Sequence, residues 1–247
     1  MTALEFLEFR NYLYPASGFQ SAQFRLLENK LGLDKSQRKI HGGCPYHAFL
    51  KEDEKPAVLA SEEEPSVLKS VGAWLERTPY LKTEGYDFWT EYKSSVETML
   101  LEEEGLIKNN SNLSDNEKEK SLESVSTTKS SFKEFMDKDK FENGAWSLSF
   151  EALQAALFIQ LYRHDLKLQS ANRLIEQLID LDENMTQWRN RHAQMALRML
   201  GHKVGTGGSS GEEYLRSAAK NHKVFTDFFK LTTFFIDGRK LKRLPES

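Results

Sequence analysis

One cysteine, Cys44, is all that the 247 residues contain, so an internal disulfide is excluded and a reducing compartment, by default the cytoplasm, is expected. Long apolar runs are absent as well. No stretch approaches the ~18 residues that a membrane helix needs, and the mean hydropathy is −0.60, so no membrane is expected as a partner. The opening "MTALEFLEFR" mixes acids with aromatics; it lacks the basic stub and apolar core of a signal peptide. There is no excess of positive charge: 34 Lys and Arg face 37 Asp and Glu, a net charge of −3. Without a basic field, nucleic acid is not an expected partner. Internal repeats and strand-like alternation are missing too. What remains is 39% hydrophobic and 29% charged residues, a globular composition long enough for one large domain or two small ones.

The apolar residues that are present recur at helical spacing. Thr2 and Glu5 match a capping box ahead of Phe6, Phe9 and Leu13, and Pro15 stops that run. "FQSAQFRLLENKLG" predicts a second amphipathic helix closed by Gly32 at C′. Residues 34–64 lose periodicity and read as loop. Further helices are expected over "PSVLKSVGAWLERT" and "DFWTEYKSSVETMLLEEEG". Residues 108–131 are polar and read as a solvated helical hairpin or a mobile insertion rather than core. Beyond Trp146, Ser149 can cap "FEALQAALFIQLYRH"; "SANRLIEQLIDLDENM", a helix around His192, and "EEYLRSAAKNHKVFTDFFKLTTFFI" follow. The expected fold class is all-α.

Four features carry candidate chemistry. Met185, Trp188, His192, Met195 and Met199 share one helical face. An imidazole among thioethers and an indole stays neutral, as an axial iron ligand must; a core histidine bonded to a backbone carbonyl is the plainer alternative. "GTGGSSG" (205–211) follows that helix. Gly201 can end the helix, and Ser210 with Glu213 can cap the next one. Gly205, Gly207 and Gly208 are then surplus, each at an entropic cost of roughly 0.5–1 kcal/mol, which a loop closing over a ligand would justify. The run lacks the lysine of a phosphate-binding loop. Arg10, beside Phe6 and Phe9, can fork onto a carboxylate or simply lie along its helix. His41, Cys44 and His47 have a spacing that permits a metal, but no fourth ligand stands out.

Three stretches together, "FRNYLYPASGFQSAQFRLLENKLG", "VGAWLERTP" and "WRNRHAQMALRMLGHKVGTGGSSGEEYLRS", resemble the tryptophan 2,3-dioxygenase family over nearly the whole chain. The middle stretch and its polar insertion look more like animal members. The resemblance implies an all-α helical bundle of the haem-dependent tryptophan/indoleamine dioxygenase type with a small polar helical insertion. On that basis 1–107 are its N-terminal helices and loop, 108–140 the insertion, and 141–247 the C-terminal haem-binding helices of the same domain. It implies ferrous haem b and a cytoplasmic homotetramer. It also implies the conversion of L-tryptophan and dioxygen to N-formylkynurenine, the first step of tryptophan catabolism by the kynurenine pathway.

Carried over by position, His192 resembles the axial haem-iron ligand, with Trp188 on the proximal side. Arg10 looks like the partner of the substrate carboxylate, Thr206 the contact to its ammonium, and Phe6 a wall of the indole pocket. Ser17 and Gly18 correspond to the turn near dioxygen, and Gly205, Gly207, Gly208, Ser209 and Ser210 to the loop lid. Family members carry a helical segment before the "TALEF" position that holds the distal histidine, so no catalytic residue is assigned among the six histidines here. Two other readings stay open: a catalytically inactive helical module that binds haem or a partner, and haem-dependent oxidation of another indole.

Overall fold

The computed structural model describes residues 2–12, 21–34, 36, 45–142, 146–203 and 210–244. Their regular structure is helical apart from one short hairpin. In chain order the helices begin with α1 (Ala3–Tyr12), α2 (Ala22–Leu31), α3 (Lys55–Ala60) and α4 (Val67–Leu75). Strands β1 (Lys82–Thr83) and β2 (Tyr86–Asp87) pair antiparallel, Thr83 opposite Tyr86. Then come α5 (Phe88–Asn109), α6 (Asp115–Met136), α7 (Lys138–Glu142) and α8 (Phe150–Leu161). The chain continues through α9 (Gln169–Leu200), α10 (Gly211–Asn221) and α11 (Thr226–Leu231). No helix among the described residues is long and apolar enough to cross a membrane.

The chain divides into two compact units, Met1–Val71 with Glu176–Thr226, and Gly72–Ile175 with Asp227–Ser247. In the first, the caps read from sequence are present. Thr2 Oγ1 accepts from the Glu5 amide at 3.3 Å, and the Glu5 carboxylate accepts from the Thr2 amide at 2.6 Å. Ser21 caps α2 through the Phe24 amide. At its other end the Gly32 amide bonds Asn29 O and the Leu33 amide bonds Glu28 O, the Schellman closure, with Gly32 at φ +100°. The Asn29 side chain then holds α3 by donating to Val58 O at 2.9 Å and Ser61 Oγ at 2.8 Å. Ala22, Tyr46, Leu50 and Val58 form a small core there, with Leu26 and Tyr214 packed on it.

The second unit is built on α8, whose residues Ala155 to Leu161 are all buried, Gln160 the one polar side chain among them; a helix apolar on nearly every side belongs in an interior. Phe88, Tyr92, Val96 and Leu100 of α5 are buried in the same unit, and the Phe88 and Phe158 rings lie 5.1 Å apart. Phe135 of α6 stacks on Phe234 at 4.0 Å, while Tyr92 donates to Phe234 O at 2.7 Å.

Four sequence expectations are corrected. The supposed loop over 34–64 contains a 3-10 turn, Tyr46–Phe49, and α3, which at six residues with one buried side chain, Val58, is too short to show a period. The segments before and around His192 are a single 32-residue helix, α9. The last aromatic stretch is not one helix. Asp182 accepts from the Val224 amide at 3.0 Å and the Phe225 amide at 2.6 Å, which breaks the chain between α10 and α11. The polar stretch 108–131 does form a hairpin with α5, tied by Lys129 and Glu104 at 3.7 Å, but Val125 of α6 is buried, as are Phe132 and Phe135 just beyond it.

Gly32 gives the first prediction. A methyl group there would stand 2.7 Å from Ser66 Oγ and 2.9 Å from Leu68 Cβ, and left-handed backbone costs an L-residue about 1–2 kcal/mol by itself. Gly32→Ala is expected to lower unfolding free energy by at least that amount in a denaturant titration, while Gly105→Ala, mid-helix with open space around it, is neutral or stabilising.

Candidate functional site

α9 has two unlike faces in the first unit. One is buried and ionic, with Asp182, Arg189 and Ala193. The other carries the apolar stripe that includes His192, and it is only partly covered: Trp188 is 48% and Met195 58% exposed. The expectation of an imidazole enclosed in apolar surroundings is therefore met only in part. Met185, His192 and Met199 are half-buried. The Trp188 and His192 rings lie 5.6 Å apart, tilted by 54°. His192 Nδ1 is buried and has no hydrogen-bond partner among the described residues. A core histidine tied to a backbone carbonyl would use such an atom as a donor, and no described carbonyl meets Nδ1.

The buried face holds a charge cluster that links three helices. Glu28 of α2, 1% exposed, accepts from Arg25 Nη1 at 2.6 Å through Oε2. Its Oε1 accepts from His222 Nδ1 at 3.0 Å and from Arg189 Nη2 at 3.2 Å. Arg189 Nη1 donates to His222 O at 2.6 Å, and Arg25 Nη2 to the Tyr214 hydroxyl at 2.8 Å. Burial pushes the Glu28 carboxyl up, but the hydrogen bond from His222 and the charge of Arg25 outweigh it and bring it down to about 2. Burial pulls Arg189 below the ordinary arginine value against the opposing pull of Glu28. Asp182, raised by burial and steadied by the Val224 and Phe225 amides, supplies a second acid near Arg189. Two arginines thus face two carboxylates, the condition under which buried charge is tolerable.

The sequence candidates fall unevenly on this frame. His192, Trp188 and Ser210 are described, and so is Phe6, half-buried on α1. Arg10 is described only as backbone of α1. Ser17, Gly18, Gly205, Thr206, Gly207, Gly208 and Ser209 lie outside the described residues, as do His41 and Cys44. No group of three His, Cys, Asp or Glu among the described residues could hold a metal ion. Ser210 is the buried N-cap of α10: its hydroxyl accepts from the Glu213 amide at 3.2 Å, and the Glu213 carboxylate accepts from the Ser210 amide at 3.4 Å. A cavity of about 560 Å³ lies at the end of α10 against Tyr214, Ser217, Lys220, Asn221 and His222; neither Trp188 nor His192 is among those residues. Sequence reasoning missed Arg25, Glu28, Arg189 and His222. Arg25 and Glu28, three apart, look like a surface ion pair, and their partners sit more than 160 positions away.

Glu28→Gln removes the acid and leaves two buried guanidinium groups short of charge. The expected loss is about 3–5 kcal/mol of stability at pH 7. The pH dependence has a definite sign. A carboxyl lowered from 4.5 to about 2 contributes stability that is complete above the unfolded value and is lost as pH falls from 4.5 toward 2. Denaturant unfolding repeated between pH 7 and pH 2 is expected to show that acid limb in the parent chain and a flatter one in Glu28→Gln.

Comparison with known proteins bears on what such a face is for. Residues 1–235 match the sequence pattern described as tryptophan 2,3-dioxygenase. A protein of that name from Bdellovibrio bacteriovorus is 47% identical over 251 residues, covering all of this chain and 70% of its own length. One from Dictyostelium discoideum is 41% identical, covering all of this chain and 63% of its own. Tryptophan 2,3-dioxygenase A of Danio rerio is 42% identical, again over all of this chain and 62% of its own length. The likeness is thus not confined to the animal members that the middle stretch suggests, and the chain spans between 62% and 70% of these three relatives. With a match of this extent, the chain belongs to the tryptophan 2,3-dioxygenase family.

Proposed function

We propose that this chain holds haem b through His192 and inserts both atoms of dioxygen across the indole C2–C3 bond of L-tryptophan, giving N-formylkynurenine. The observation that carries the reading is a single imidazole. His192 has a buried ring nitrogen with no partner among the described residues, beside Trp188 on a half-covered apolar face, in a chain of this family. Those residues fit an axial ligand and the apolar surface that a porphyrin would cover. When bound, the ferrous haem supplies the centre that activates dioxygen, and no external reductant is consumed because both oxygen atoms enter the substrate.

The protein's own part is ligation, orientation and exclusion of water. A neutral imidazole at His192 serves as the ligand, with Trp188 bordering it. In this reading Arg10 forks onto the substrate carboxylate and the Thr206 hydroxyl accepts from its ammonium, which selects a zwitterionic amino acid over plain indole. Phe6 walls the indole, and Ser17 and Gly18 form the turn on the dioxygen side. Gly205, Gly207, Gly208 and Ser209 let backbone close over the substrate, while Ser210 sets the start of the following helix. The homotetramer and the cytoplasmic setting of the family complete the proposal.

A haem titration of the 247-residue chain is expected to develop a Soret band that His192→Ala loses or displaces; an unaltered band in that variant sinks the assignment. With haem bound, absorbance of N-formylkynurenine is expected from L-tryptophan and no oxidised product from plain indole. Arg10→Ala is expected to lower kcat/KM by about 10- to 100-fold, the worth of a hydrogen bond to a charged group. Haem bound tightly through His192 with no product from either substrate would instead favour an inactive, haem-binding helical module.

A further inference from the structure

The half-exposed indole of Trp188 borders the residue on which the reading above depends. Its ring neighbours among the described residues are His192 at 5.6 Å and Phe24 of α2 at 5.1 Å, tilted by 33°. Phe24 is itself held twice. Its amide donates to the Ser21 cap at 3.3 Å, and the Arg189 guanidinium carbon stands 5.4 Å from the centre of its ring. Arg189 is in turn bound to Glu28 and to the His222 carbonyl. A continuous series of contacts therefore runs from the buried carboxylate through a guanidinium and two aromatic rings to the imidazole.

From this we infer that Phe24 is a positioning residue: it fixes the Trp188 indole, and through it the His192 imidazole, in one orientation, with the Arg189–Glu28 pair fixing Phe24 in turn. Burial alone does not explain the arrangement, since Phe24 is half-buried and Trp188 half-exposed. Tilted aromatic pairs and a guanidinium near a ring instead impose a direction. The consequence for function rests on His192 being the haem ligand: a fixed imidazole plane presents its lone pair to the iron in one geometry, as partners behind a ligating histidine generally do.

The test separates the two ideas by reading the ring without haem. In the 247-residue chain labelled with 13C-histidine, the His192 signals are identified by their absence in His192→Gln, and their ring-current displacement reports the indole. Phe24→Leu is expected to move these signals toward the position of free histidine with the circular-dichroism melt unchanged, and Phe24→Tyr to restore them. In a Trp188→Leu background, Phe24→Leu is expected to move them no further. Unchanged His192 signals in folded Phe24→Leu overturn the proposal, as does an equal displacement in Phe24→Tyr; Phe24→Met takes the place of the leucine variant where that one does not fold. After haem loading, Phe24→Leu is expected to shift the reduction potential and Phe24→Tyr to leave it near the parent value. If the apo signals respond but no His192-dependent Soret band forms, the positioning stands and the haem reading falls. If the Soret band depends on His192 but the apo signals ignore position 24, the haem reading stands and the positioning falls.

Discussion

A single buried carboxylate sets the geometry of the unit that contains His192. Glu28 spends one oxygen on Arg25, its neighbour on α2, and the other on Arg189 of α9 and His222 after α10. Each bond by itself is an ordinary charge-assisted contact, but none of the four groups can be left alone at this depth, because each buried charge without its partner costs several kcal/mol. The cluster therefore acts less as a source of stability than as a demand. Three segments far apart in sequence must meet at one point for these charges to be paired.

That demand has a directional result on α9. Asp182 and Arg189 lie on its buried face, so helical periodicity turns Trp188, His192 and Met195 away toward the less covered side. A helix that kept its apolar stripe inside would bury these three and expose the ions. Here the ionic side is satisfied by protein groups, and the apolar side keeps an indole, a thioether and an imidazole with a nitrogen that no described residue meets. The ions lie inside with Leu178 and Ala193 on one face of α9, while the stripe of Trp188 and Met195 stays partly uncovered on the other.

How far this was legible in the sequence depends on the range of the interaction involved. Caps and closures are local, and Thr2 with Glu5, Ser149, Gly32, Gly201 and the Ser210–Glu213 box all read correctly, because residue type at a spacing of three or four determines them. The all-α class followed from periodicity. The short α3 and the break between α10 and α11 did not, because the second is made by Asp182, some forty residues upstream, accepting two backbone amides. The stripe on α9 was read correctly as a set of residues and only in part as an environment, since period gives a face but not which face is inside. Arg25 and Glu28 were invisible as a buried centre for the same reason: their decisive partners, Arg189 and His222, are a matter of tertiary structure alone.

The anchoring of α10 bears on the glycine run before it. The Ser210 hydroxyl and the Glu213 carboxylate define where the helix begins, Tyr214 takes a hydrogen bond from Arg25 within its first turn, and His222 at the far end meets Glu28. On the other side of the run, Gly201 closes α9 in left-handed backbone at φ +62°, its amide bonded to Leu197 O. Both ends of the connection are thus fixed by local caps, and one of them by the buried carboxylate as well. The cluster that turns His192 toward the less covered side of α9 also holds the start of α10 through Arg25 and Tyr214 and its end through His222, so both helices are referred to one carboxylate.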